Sequence, residues 1–170
     1  MAVEKSAENS HDLPESLKLL AEIFPDEVRE TRVAHGDALA VIAAGALRKV
    51  MEFLQSDTRL QYDVLVDITA VDYLGQDPRF EVVYHLLSLS RHDRLRIKVG
   101  VRAEKPAVAS MTPLWSNANW LEREVWDMFG IEFEGHPDLR RILLYPEFQG
   151  HPLRKDYPIR RRQPLIGPKN

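Results

Sequence analysis

Three stretches in the middle of the chain alternate apolar and polar residues with a period of two: Leu60, Tyr62, Val64, Val66 and Ile68, then Phe80, Val82, Tyr84 and Leu86, then Leu95, Ile97, Val99 and Val101. A strand turns successive side chains to opposite faces, so this region commits the chain to a sheet with a buried face. Following one another closely, the three predict a meander. The last carries Arg94, Arg96, Lys98 and Arg102 on its other face, as a half-exposed antiparallel strand does. Val83, Leu87 and Leu89 make the middle one apolar on both sides, which predicts a central position.

Helical spacing lies on either side of these strands. Leu13, Leu17, Leu20 and Phe24 form one stripe behind Pro14, a residue suited to a first helical turn, and Pro25 ends the run. Residues 27–35 predict a weak strand and 38–42 an apolar one, with a hairpin turn at His35-Gly36-Asp37. Leu47, Val50, Met51 and Leu54 form a second helical stripe, opposite Arg48, Lys49, Glu52 and Gln55. After a linker around Pro106 and Pro113, residues 116–129 place Leu121, Val125, Met128 and Phe129 on one helical face, and Gly130 stands at the C-cap. Together these elements predict a two-layer α+β domain with helices on one face of a mixed or antiparallel sheet.

Beyond residue 145 the periodicity stops. Pro146, Pro152, Pro158, Pro164 and Pro168 fall at or near six-residue intervals. Eight Lys/Arg from Arg140 onward face only Glu147 and Asp156, so this end carries +6 in a chain whose net charge is −3, leaving −9 on residues 1–139. Proline fixes φ, lacks a donor and extends its predecessor, so 146–170 is predicted as an extended basic C-terminal arm. It follows a domain over 13–145 and a polar N-terminal tail over 1–12. With few core-forming side chains, the arm is expected to be mobile in the isolated chain, open to trypsin at Arg154, Lys155 and Arg160 to Arg162, and removable after Tyr145 without unfolding the domain.

Composition narrows the chemistry. At 170 residues the chain is long enough for a core without staples, and it has no cysteine, so disulfides, iron–sulfur clusters and thiol nucleophiles have no residue to use. The longest apolar run, Ala38 to Leu47, is half the length a spanning helix needs. The polar start of the chain shows no apolar leader, which predicts a cytoplasmic location. There is no GxGxxG, GxxxxGK[ST], GxSxG or HExxH motif. The sole Glu-x-x-His, Glu8 to His11, lies in the polar tail and cannot build a di-iron site alone.

Several residues still invite a functional reading. His136 and His151 each sit in Gly-His-Pro, fifteen residues apart, which suggests paired metal ligands; the sequence is first a turn that aims a side chain. His85 alternates with core positions on a strand, and Asp67, Asp72 and Tyr73 sit at a strand end where turn chemistry is common. The densest cluster is Leu121 to Gly130. There Arg123 and Asp127 are spaced as i,i+4 partners, and Glu124 lies one turn before Asp127, beside Trp120, Trp126 and Phe129. A surface ion-pair network over a core stripe is the plainer interpretation. A paired-carboxylate acid/base site is the sharper one, and it lacks a neighbouring His or Lys.

The run from Glu122, Arg123, Glu124, Asp127, Gly130 and Ile131 to Gly135-His136-Pro137-Asp138-Leu139-Arg140-Arg141-Ile142-Leu143 resembles the signature of the 30 kDa (C) subunit family of the proton-pumping NADH:quinone oxidoreductase, respiratory complex I. Gly150-His151-Pro152-Leu153-Arg154-Lys155-Asp156-Tyr157-Pro158 resembles its second hallmark block, and Val82 to Leu86 its central strand. The resemblance implies a member of the peripheral arm, on the cytoplasmic face of the bacterial inner membrane, packed against the large D subunit and close to the B and I subunits. It implies membrane association only through the complex, and flavin, iron–sulfur clusters and quinone held by partner subunits, not by this chain. The signature residues then become partner-contact residues, with no catalytic, cofactor-binding or metal-ligating role.

Three other interpretations compete. Related arm subunits occur in membrane-bound hydrogenase and formate-hydrogenlyase complexes, often fused to the large subunit, whereas this chain is unfused. Arg160-Arg161-Arg162 could mark a nucleic-acid-binding module, although only Tyr157 interleaves it and the rest of the chain is acidic. A free hydrolase using Glu124 and Asp127 would need a pocket with perturbed carboxylates.

Overall fold

The computed structural model describes residues 13–163. The polar tail over 1–12, with Glu8 and His11, and the arm from residue 164 lie outside the described residues. Helix α1 (Glu15–Ile23) starts one residue after Pro14, which occupies the N-cap position, and Phe24 ends it. Strands β1 (Val28–Ala34) and β2 (Asp37–Ile42) form an antiparallel hairpin. His35 and Gly36 both take positive φ at its two-residue turn, the backbone that lets a tight hairpin keep the strands' twist. A 3-10 turn at Ala44–Ala46 leads into α2 (Leu47–Ser56), which buries Leu47, Val50, Met51 and Leu54, the predicted stripe.

The predicted meander is present as β3 (Val64–Asp72), β4 (Phe80–Ser88) and β5 (Asp93–Val101), with antiparallel pairing throughout. The sheet order is β1-β2-β5-β4-β3, and β2 pairs with β5 in parallel, which makes the sheet mixed. Strand β4 is internal, as its two apolar faces require, but the middle position falls to β5. Period-two patterning identifies a strand yet not its neighbour across a long crossover, and the β2–β5 pairing is such a case.

The three α-helices among the described residues lie on one face of the sheet. Leu17 and Leu20 of α1, the α2 stripe, and Val125, Met128 and Phe129 of α3 (Ala118–Phe129) share one core with Ile42, Ile68, Val82, Tyr84, Ile97 and Val99 of the sheet. The opposite face mixes Val83 and Leu87 with charged residues and is laced by Lys98–Glu81 at 2.6 Å and Arg96–Asp37 at 3.0 Å. Leu39 on that face is nevertheless buried, flanked in register by Arg32 and Arg96, whose aliphatic stems can cover it. Two short strands escaped the sequence: β6 (Ala107–Ala109) pairs in parallel with β7 (Glu132–Glu134), bracketing α3. Three residues carry too little periodicity to register.

Past β7 the chain has no further helix or strand among the described residues, in keeping with its prolines. Its course to residue 157 is not detached, however. The Leu153 N–H donates to the Met128 carbonyl and the Lys155 N–H to the Asp72 carboxylate, both on the folded domain.

Candidate functional site

The C-terminal end of α3 is where the signature residues converge. An α-helix leaves its last carbonyls without intrahelical partners. Gly130, at φ 71°, turns the chain out in the left-handed conformation, and residues 151–154 satisfy the carbonyls it leaves behind. The His151 ring lies with Nδ1 3.0 Å from the Asp127 carbonyl oxygen, Leu153 N–H donates to Met128, and the Arg154 guanidinium donates to the carbonyls of Phe129 and Gly130. The approach is so close that a Cβ on Gly130 would stand 2.5 Å from His151 Cδ2 and 2.7 Å from Arg154 Nη2. Only glycine fits, for both space and φ.

Asp127 organises the preceding turn. Its carboxylate is fully buried and accepts from Arg141 at 2.6 Å and from the N–H groups of Ile142, Leu143 and Leu144 at 2.9–3.1 Å. Burial alone would raise this carboxyl; the Leu144 N–H, Arg141 and the N–H groups of Ile142 and Leu143 outweigh it and hold it below the usual carboxylate range. Arg141 reaches on to the Gly150 carbonyl at 3.0 Å and lies over the rings of Trp126 and Phe148. Arg123, meanwhile, donates to the carbonyls of Arg140 and Arg141.

The expected Arg123–Asp127 surface pair is therefore corrected: both side chains leave the helix surface to hold the 140–144 segment. Glu122 and Asp127 are fully buried and face inward, so neither offers a side chain to a partner as the structure stands, whereas Glu124 is exposed. The aromatic stripe is corrected too, since Trp120 is 67% exposed and does not join Phe129. The reason is rotational. Residues 122 and 127 sit on α3's two inward-facing edges, which a hydrophobic periodicity count scores as polar and hence as surface.

A second anchor joins the arm to the far end of the sheet. Asp72 is buried at the end of β3 and takes both arms of the Arg79 guanidinium at 2.9 Å, while Arg79 also reaches Asp156 at 2.8 Å. Arg79 holds the Asp72 carboxyl low, and the Lys155 N–H adds to this. Arg79 and Arg154 both lie over the Phe80 ring. Tyr157 stacks on Phe148, and Gln163 donates to the Tyr157 hydroxyl. The sequence marked Asp72 only as turn chemistry, because its partners lie seven and more than eighty residues away.

The two Gly-His-Pro histidines do not share a site. His136 Nε2 lies 3.0 Å from the Asn119 carbonyl and its Nδ1 accepts the Asp138 N–H, while His151 sits against Asp127. Asn119 and Asp127 are eight residues apart on one helix, about 12 Å of rise. Pro137, Asp138 and Arg140 are exposed beside His136, as are Leu153, Lys155 and Asp156 further on, while Pro152 is half-buried. Among the described residues no group of three His, Asp or Glu side chains gathers as a metal site, and no helix is long and apolar enough to cross a membrane.

Fold and site define a class: a two-layer α+β domain whose last helix is locked from behind by a His-Pro-Leu-Arg-Lys-Asp-Tyr segment, with its chemistry directed at holding that segment. The profile of the family described as respiratory-chain NADH dehydrogenase, 30 Kd subunit, matches residues 40–163, and the chain belongs to that family. It is 44% identical to the C subunit of the NADH-quinone oxidoreductase of Citrifermentans bemidjiense over 87% of this chain and 92% of that one. It is 46% identical to that of Roseiflexus castenholzii over 87% and 85%. Among solved structures, a trypsin-resistant fragment of Nqo5 aligns at TM-score 0.64 and 34% identity, covering 72% of this chain and 97% of that one. A chain of the membrane-bound sulfane sulfur reductase, an archaeal respiratory membrane complex, aligns at TM-score 0.71 and 26% identity over 84% and 83%.

Proposed function

We propose that the chain is a cofactor-free structural and assembly component of the peripheral arm of an NADH:quinone oxidoreductase, on the cytoplasmic face of the bacterial inner membrane. It contacts the D, B and I subunits. Flavin, iron–sulfur clusters and quinone belong to partner subunits, and the passage of electrons from NADH to quinone with proton translocation belongs to the whole complex.

The observation that carries this reading is the pre-ordered end of the arm. The segment is tied to α3 and β3 through the His151 and Arg154 side chains and the Leu153 and Lys155 N–H groups, yet Leu153 is 55% exposed, and Leu143, held by Asp127, is 60% exposed. Past Tyr157, Ile159 is 98% exposed beside the exposed Arg160, Arg161 and Arg162. Apolar side chains presented on fixed backbone bind without the further ordering cost of about 1–2 kcal/mol per residue, and flanking arginines suit a partner with carboxylates. This divides the predicted arm: 146–157 serves as the domain's own lock and presents Leu153, and the stretch from Pro158, with Ile159 and the arginines, extends the docking surface.

A second interpretation, the equivalent arm component of another membrane-bound redox complex, is supported by the likeness to the sulfane sulfur reductase chain. Purification of the tagged chain from its native membranes separates the two. Co-purification with the D, B and I subunits is the expected outcome; a hydrogenase-type large subunit in their place favours the second interpretation, and a solitary chain overturns both.

A further inference from the structure

Helix α3 carries three carboxylates and spends two of them inside the chain. Glu122 is fully buried and accepts from the Ser110 hydroxyl at 2.7 Å and the Met111 N–H at 2.5 Å, and Asp127 holds the 141–144 segment. Glu124 alone is exposed. Its neighbour Arg123 donates to the Arg140 and Arg141 carbonyls instead, so no cation among the described residues pairs with Glu124. One turn earlier stands Trp120, 67% exposed, which with Ser116, Asn117, Leu121 and Val66 of β3 lines an open groove of about 430 Å³ between the last helix and the edge strand of the sheet. Residues four apart on a helix are surface neighbours and their side chains lean toward its N-terminus, so the Glu124 carboxylate stands at the rim of this groove.

The groove is built for side chains, not for an added strand. The pairing of β3 with β4 is irregular between Leu65 and Asp67, which leaves Val66 unpaired and 43% exposed. Beside it the Asn117 amide donates to the Leu65 carbonyl at 2.8 Å and the Trp115 indole to the Asp63 carbonyl at 3.0 Å, so two backbone acceptors at this end of the strand are already taken. The first amides of α3 are used as well: the Ala118 N–H donates to the Trp115 carbonyl at 3.0 Å and the Trp120 N–H to that of Asn117 at 3.3 Å. The helix therefore offers no free N-terminal amides to an anion there.

The charge of the groove selects its occupant. No Lys or Arg lines it, and Asp63, exposed beside Trp115, adds a second carboxylate without an ion pair. A purely apolar side chain would strip water from these carboxylates and give nothing back, whereas a cation binds both the face of an indole and a carboxylate. We propose that the Trp120 groove is a second docking surface, which receives an arginine- or lysine-bearing segment of a neighbouring subunit, its cation over the Trp120 indole and paired with Glu124, its aliphatic stem against Val66 and Leu121. This rests on the reading of the chain as one component of a larger complex, and it lies at the end of α3 opposite the arm, which meets the helix at residues 127–130.

Hydroxyl-radical footprinting of the complex purified from native membranes, against the free chain, reads whether the groove is covered. Trp120 is expected to oxidise about tenfold more slowly in the complex, as a fully desolvated anchor does. Equal rates with partner subunits present overturn the groove and leave the assembly reading intact; a chain that co-purifies with nothing overturns both. Protection already present in the free chain and lost on dilution assigns the groove to a second copy and overturns the proposal. Glu124→Lys then reads the chemistry of the occupant: recovery of assembled complex at low salt should fall about tenfold, and less for Glu124→Gln, while both isolated variants melt with the unaltered chain. Normal assembly of Glu124→Lys overturns the cationic occupant and, with Trp120 protected, makes it apolar. A lowered melting temperature that accounts for the lost assembly places the defect in folding and also overturns the contact.

Discussion

Glu122 and Asp127 lie on the same helix, are equally inaccessible and behave as opposites, because one has dipoles only around it and the other has a guanidinium and three N–H groups. For Glu122 the folded pKa, about 7, stands above the ordinary 4.5, so the folded state binds the proton more tightly than the unfolded one. Its contribution is fully present below about pH 4.5 and is lost as pH rises through 7, a change of about 3 kcal/mol at most. Glu122→Gln, which keeps an acceptor for Met111 and a polar partner for Ser110, should match the unaltered chain near pH 4.5 and melt higher at pH 8. Thermal unfolding followed by circular dichroism across that range checks it; equal melting temperatures at pH 8 would contradict it. Asp127 has a depressed pKa and so stabilises above the ordinary carboxylate range, losing that contribution only in acid. Asp127→Ala leaves the half-buried Arg141 without its carboxylate and three N–H groups unpaired, and should cost about 3–5 kcal/mol in the isolated chain. That places its defect in folding itself, against the sequence expectation that the polar face of α3 waits for a partner.

At the scale of the element, α3 is a helix whose C-terminus is completed by chain more than twenty residues further on. Gly130→Ala should strain the left-handed turn and push His151 and Arg154 away, a loss of about 1–3 kcal/mol. Hydrogen exchange gives the sharper readout: the Leu153 and Lys155 amides, bonded to Met128 and Asp72, should lose protection before the core strands do. Protection unchanged at both amides would mean that the lock does not depend on this close approach. The same geometry orders the tryptic sites. Arg154 is held by two helix carbonyls and Lys155 by its backbone, whereas Arg160 and Arg162 are exposed with no such anchor, so cleavage should begin at 160–162 and reach 154–155 later. The cap itself was legible, since Gly130 follows a helical stripe; that a histidine and an arginine fill the space where its Cβ would be was not, because no local pattern records what approaches a glycine.

For the whole molecule, the consequence is a difference between two truncations. A chain ending at Tyr157 retains the lock and should fold with nearly its full stability but fail to join its partners. A chain ending at Tyr145 uncovers the end of α3 and strips Asp72 and Arg79 of Lys155 and Asp156, and should melt lower or aggregate. Thermal melts of both, with co-purification from membranes, measure this; normal assembly of the chain ending at Tyr157 would remove the docking role from residues beyond it. By itself the sequence determined the elements, because a period of 2 or 3.6 is a local property: the hairpin at His35-Gly36, the meander, three amphipathic helices and the Gly130 cap all follow from neighbours within a few residues. It also determined the family, through two long runs of unusual residues. Tertiary structure alone decided the parallel β2–β5 pairing, the β6–β7 ribbon, the burial of Glu122 and Asp127, and the return of the arm onto α3. Each depends on what a group meets across tens of residues of chain, and the free energy of burying a carboxylate is set by those distant partners, not by the residues beside it in sequence.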